Sequence, residues 1–137
     1  MNRFVAIIVA AAIGIGASGC SQRYAEFPIW QGYGQQPIVA KKKLIWGTGG
    51  SFSAFFDKLE AKDVDGAIAV LEADSTKNYM GLYNLAVMYE VAHDWAKAEE
   101  TINRAIEDYA KSKTDKNKML EDELAFIQEN KTRSVGQ

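Results

Sequence analysis

The chain has 137 residues, 47% of them hydrophobic, and its 16 Lys and Arg against 18 Asp and Glu leave a formal net charge of -2. That describes one small domain with an ordinary apolar fraction, which excludes a multidomain enzyme and a disordered tail, and the charge balance gives no overall field for nucleic acid. One cysteine cannot close an intramolecular disulfide and one histidine cannot furnish a multi-histidine metal site.

Met1, Asn2 and Arg3 precede an apolar run over residues 4–15, followed by Gly16, Ala17, Ser18, Gly19 and Cys20. A short basic start, an apolar stretch briefer than the roughly 20 residues that span a bilayer, and small residues before a cut site predict a secretory signal. Ala17, Ser18, Gly19 and Cys20 resemble the lipobox of bacterial lipoproteins. The resemblance implies that residues 1–19 are a lipoprotein signal peptide and that Cys20 opens the mature chain, thioether-linked to diacylglycerol and acylated on its amine. It also implies that Ser21, where lipoproteins of the inner membrane carry Asp, sends the protein to the outer membrane, facing the periplasm. Each buried acyl methylene contributes about 0.8 kcal/mol, so two or three chains hold firmly. Two other readings stay open: ordinary secretory cleavage near Gly19, and an uncleaved anchor helix, against which Gly14, Gly16 and Gly19 argue because glycine weakens helices.

Residues 20–50 are expected to form a lipid-anchored, extended linker. No helical or strand period of any length runs through them, and Gln31, Gly32, Tyr33, Gly34, Gln35, Gln36 and Pro37 are polar and punctuated by glycine. Tyr24, Phe27, Trp30, Tyr33 and Trp46 give this stretch more aromatic area than a spacer needs. Either these rings pack back on the protein's own helical domain or they bind a partner. Lys41, Lys42 and Lys43 read as a solvated charge run, with contact to anionic headgroups or to a partner as the other reading. The stretch Gly47, Thr48, Gly49, Gly50, Ser51 lacks the Lys that a phosphate-binding loop requires.

From residue 51 no proline occurs and apolar residues recur at helical spacing, which predicts an all-α domain over residues 51–130 and a frayed tail over 131–137. Leu82, Leu85, Ala86 and Tyr89 share one face at i, i+3, i+4 and i+7. Asp94 is placed to cap the next helix, whose stripe is Trp95, Ala98, Ile102, Ala105, Ile106 and Tyr109. The short break at His93 and Asp94 folds the two helices back on each other. Residues 79–112 resemble a tetratricopeptide repeat, with Leu82, Leu85, Ala86, Tyr89, Trp95, Ala98, Ile102 and Ala105 at its core positions and Ala110 in place of the usual closing Pro. Small Ala86 and Ala98 suit two helices that cross closely. Upstream, Ala61, Lys62, Asp63, Val64, Asp65, Gly66 and Ala67 match Ala92, His93, Asp94, Trp95, Ala96, Lys97 and Ala98, a degenerate N-terminal repeat. Downstream, residues 112–115 offer caps for a closing helix with Met119, Leu120, Leu124 and Ile127 inward and Glu121, Asp122, Glu123 and Glu129 outward. About two repeats and a capping helix fall short of the roughly three units that bury a continuous core, so the aromatic segment or a partner is expected to cover the open ends.

His93 beside Asp94 reads as a solvated turn residue, since no Ser or Cys nucleophile accompanies it. Asp63 and Asp65 read as caps, and no segment supplies a calcium-loop ligand ladder. No cofactor or metal is expected, and the chain is not read as an enzyme. In the tetratricopeptide family the first helix of each pair lines a concave groove, which implies partner contact through Met80, Tyr83, Asn84, Val87, Glu90 and Val91. Asn84 stands where family members clamp peptide backbones or carboxylates, but no Lys or Arg accompanies it, so an apolar protein contact is favoured over a carboxylate clamp. The expected function is that of a membrane-anchored periplasmic adaptor or assembly factor for another cell-envelope protein. The alternative is a permanent accessory subunit of a large secretion, pilus or motility machine, docked through its aromatic N-terminal segment.

Overall fold

Five helices and a two-stranded sheet make up the described residues, 23–29, 38–45 and 50–135, of this computed structural model. The strands are β1, Arg23–Ile29, and β2, Ile38–Leu44. The helices are α1, Gly50–Glu60, α2, Val64–Ala73, α3, Tyr79–Val91, α4, Trp95–Ser112, and α5, Lys118–Val135. The mostly helical fold agrees with an all-α chain at this level, and the α3 and α4 boundaries fall where the hydrophobic period and the Asp94 cap place them.

Local chemistry explains the helix ends. Asp63 Oδ1 accepts from the Gly66 amide at 2.8 Å, Asp94 Oδ1 from the Lys97 amide at 3.1 Å, and Asn78 Oδ1 from the Met80 amide at 3.1 Å. Each such cap contributes about 1 kcal/mol by satisfying an orphan donor. The start of α5 is capped by Asn117, which accepts from Leu120, rather than by the residues before it.

The α1–α2 and α3–α4 turns are built alike. Lys62 and His93 have φ of 58° and 59°. Around each, the three amides of Ala61, Lys62 and Asp63, or of Ala92, His93 and Asp94, donate to carbonyls four, three and five residues back. This is a Schellman closure in which the left-handed residue stops one helix and the following Asp caps the next. The sequence match across these two segments is thus also a match of backbone geometry.

Helix α3 is buried on every side from Gly81 to Val91, as a helix apolar all round must be. Helices α2 and α4 pack on it, and Ala86 and Ala98, both at 0% exposure, allow the close α3–α4 approach. Tyr89 donates to Glu72 across α2 and α3, and Asp108 on α4 accepts from the Tyr79 amide at 2.8 Å. Helix α5 covers α4 with Leu120 and Ile127. Two expectations for α5 change: Met119 is exposed, while Glu123 is buried and points inward. Helix α5 continues to Val135, so residues 131–135 of the expected tail are helical.

The larger correction concerns residues 23–29 and 38–44, within the stretch 20–50 expected to be a linker. Instead of an extended linker, β1 and β2 form an antiparallel hairpin in the register Tyr24↔Lys43, Ala25↔Lys42, Glu26↔Lys41, Phe27↔Ala40 and Pro28↔Val39. Its inner face presents Ala25, Phe27, Ile29, Ala40 and Leu44, all buried in the same core as the helices. Its outer face carries Tyr24, Glu26, Pro28, Val39, Lys41 and Lys43. Alternation with period two is what one covered face demands.

Candidate functional site

The hairpin lies on α3, across the face that the repeat resemblance assigns to a partner. Tyr83, Asn84, Val87, Glu90 and Val91 are accordingly buried, and Met80 is half-buried. Of the aromatic candidates, Phe27 is at 0% exposure in the core and Tyr24 is half-buried on the outer face. Trp30, Tyr33, Trp46 and the lipidation candidate Cys20 lie outside the described residues. The groove residues and part of the aromatic segment therefore meet each other within one chain.

Three sets of polar contacts fix the hairpin along α3. At one end, the Ile45 amide donates to Asn84 Oδ1 at 2.8 Å and Asn84 Nδ2 donates to the Ile45 carbonyl at 2.7 Å. A carboxamide is the side chain that matches the donor and acceptor of one extended residue. Beside it, the Tyr83 hydroxyl donates to the Lys43 carbonyl at 3.0 Å, and burial raises the Tyr83 pKa so that it stays a donor. Asn84 and Tyr83 read main chain and ignore side-chain identity.

In the middle, Lys42 turns inward between Ala40 and Leu44. Its Nζ is 3.1 Å from Glu123 Oε2 and 3.4 Å from the centroid of the Phe126 ring. Glu90 on α3, at 0% exposure, lies beside Glu123. Burial, reinforced by the neighbouring Glu123 carboxylate, pushes the Glu90 carboxyl well above its ordinary range, and Lys42 only partly opposes this. Burial and the adjacent Glu123 carboxyl therefore favour the protonated form of Glu90. Among the described residues neither Glu90 oxygen nor Glu123 Oε1 has a hydrogen-bond partner. The cluster sets one inward-turned lysine against two adjacent buried carboxyls.

At the far end, the His93 ring packs edge-on to Trp95 at 5.8 Å and reaches the Pro28 carbonyl of β1. Burial lowers the His93 pKa, and the hydrogen bond to Pro28 opposes the shift. The expected solvated turn histidine is in fact a contact between the α3–α4 turn and the hairpin.

Lys42, Glu123, Phe126 and His93 are the site residues that sequence reasoning missed. Ala25, Phe27 and Ile29 alternate as an inner face should, but the partner strand interrupts its apolar alternation with Lys42, and the charge is legible as buried only once Glu123 is seen opposite. Elsewhere a shallow cleft of about 170 Å³ between α4 and α5 is lined by Ile106, Tyr109, Asn117 and Leu120. Among the described residues no group of three or more His, Cys, Asp or Glu side chains converges, and no helix is long and apolar enough to cross a membrane. Comparison of the chain with protein-family models, characterised proteins and solved structures finds no match.

Proposed function

We propose that this protein is a lipid-anchored envelope lipoprotein, held through Cys20 to the outer membrane and facing the periplasm, whose tetratricopeptide-like helices serve as an adaptor or assembly factor for another envelope protein. The observation that supports this most directly is the use of the α3 face. Asn84 and Tyr83 grip the main chain of an extended segment, here the protein's own β2 and Ile45. A surface that recognises peptide backbone in this way is suited to protein contact rather than to a small reactant. The duplicated turns at Lys62 and His93 support the repeat reading, and the hairpin supplies the cover that two repeats and a closing helix need.

The second reading, a permanent accessory subunit of a larger envelope machine, is favoured by the burial of Ala25 and Phe27 at 0% exposure. A hairpin so deeply built into the core makes the groove a closed structural element, leaving the outer surfaces for docking. Crosslinking in intact cells followed by purification tests both readings. A defined envelope protein recovered with the chain supports the proposal, recovery only within a large assembly favours the second reading, and a monomer without partners refutes both. Deleting residues 24–46 is unsuitable as a test of docking because it removes core side chains.

A further inference from the structure

We propose that Glu90, Glu123 and Lys42 form a pH-sensitive latch, which holds the β1–β2 hairpin on α3 while Glu90 is uncharged and lets it open when Glu90 ionises. The charges of the cluster do not balance if both carboxyls are ionised. Glu90 is at 0% exposure and Glu123 at 4%. Among the described residues one cation is bonded to the pair, and Lys42 Nζ reaches Glu123 Oε2 rather than Glu90. Both Glu90 oxygens are buried without a partner. A carboxylate so placed has lost water and gained neither donor nor counter-ion, which costs more than keeping the proton. Closed, the latch is Lys42 against the Glu123 carboxylate with a neutral Glu90 beside them.

The groups acting on Glu90 are Glu123 from α5, Lys42 from β2 and the hydroxyl of Tyr83, two turns earlier on α3. Strand β1 turns Ala25 and Phe27 inward and Glu26 outward. Glu72 of α2 accepts from Tyr89, and Asp108 of α4 from the Tyr79 amide. Of the two elements that cover Glu90, α5 is seated along α4, whereas the hairpin rests on α3 and has little stability of its own. The hairpin is therefore the cover that lifts. Once open to water, Glu90 ionises near its ordinary 4.5, so above that pH the open form has released a proton that the closed form keeps, and opening gains as pH rises. His93 opposes this. It is buried where it reaches the Pro28 carbonyl of β1 and packs on Trp95, which disfavours its cation, and opening restores its ordinary 6.5. Below 6.5 the open form thus takes up a proton at His93, and opening gains as pH falls. Above 6.5 His93 is neutral in both forms and Glu90 acts alone, raising the open fraction by up to about tenfold per pH unit. Opening bares Tyr83 and Asn84, which grip main chain. That they then take an extended segment of a partner rests on the adaptor reading; the latch does not.

The test uses the full 137-residue chain in detergent with one introduced cysteine, Ala40→Cys on the inner face of β2 or Ala105→Cys on α4, both buried. A thiol reagent labels the folded protein at pH 6.5 to 8.5, and peptide mass tells the introduced cysteine from Cys20. Each rate is divided by that of the same cysteine in a Glu90→Gln background, which cancels ionisation of the thiol itself. The expected ratio at 40 grows by up to about tenfold per pH unit, and labelling at 40 outpaces labelling at 105. A ratio at 40 that is constant with pH, or equal rates at 40 and 105, overturns the latch. Where circular dichroism shows Glu90→Gln unfolded, Glu123→Gln takes its place: it removes the second carboxylate and is expected to flatten the response at 40, and an undiminished response overturns the proposal. These outcomes leave the adaptor reading to the crosslinking experiment.

Discussion

Replacing Glu90 by Gln tests the raised pKa of a carboxyl buried beside a second one. Glu90 has no exposed surface and its pKa lies well above the ordinary 4.5 because of burial and of Glu123 beside it. Between about 4.5 and that raised value the folded protein holds a proton that the unfolded chain has released. Folding then binds a proton, so stability falls as pH rises through this window, by up to about 1.4 kcal/mol per pH unit for one group. His93 acts in the other sense: its lowered pKa means the unfolded chain binds more protons below about 6.5, and its contribution makes stability rise with pH up to there. The comparison of Glu90→Gln with the parent cancels His93. Glutamine keeps a donor toward Glu123 and cannot ionise, so the variant is expected to gain on the parent steadily as pH increases. Urea denaturation of the chain lacking residues 1–20, followed by circular dichroism at several pH values from 5 to 8 and at constant ionic strength, reads the difference. A gap between parent and variant that stays constant across this range refutes the raised pKa of Glu90.

Lys42→Met removes the only cation bonded to Glu123 among the described residues, and uncompensated burial of that charge is expected to cost about 3–5 kcal/mol. The added change Glu123→Gln should restore most of the loss, and a urea midpoint unmoved by Lys42→Met would count against the latch. Phe27→Ala is expected to destabilise the whole domain by about 3–5 kcal/mol, as removal of a fully buried ring does; a linker residue would cost nothing measurable in the same thermal or urea unfolding. Lys62→Gly relieves a side chain held at φ 58° on an exposed turn, with an expected gain of about 1 kcal/mol visible as a higher unfolding temperature.

The sequence by itself determined what depends on neighbours a few positions apart. The i, i+3, i+4, i+7 face of α3, the Asp94 cap and the Trp95, Ala98, Ile102, Ala105 stripe of α4 are local patterns, and the helices follow them. The match between the segments at Lys62 and His93 was legible for the same reason, since a Schellman turn and its capping Asp are set within seven residues. Asn84 was singled out only through the repeat resemblance, which implied partner contact, and its bond to the Ile45 backbone is seen only in the structure.

Tertiary structure alone decided the rest, because those features are made by residues far apart in the chain. A two-stranded hairpin is marginal without a surface to pack on, so β1 and β2 exist through α3, and their own sequence carries a proline and an inward lysine that weaken the strand pattern. Lys42 belongs inside only because Glu123, on the last helix, is there to receive it. Glu123, in turn, departs from the outward face of its helix to meet that charge. The groove expected to await a partner is filled by the segment expected to be its tether, and the physical reason is complementarity: Asn84 for the Ile45 backbone, an acidic pair for one amine, and an apolar floor for Phe27.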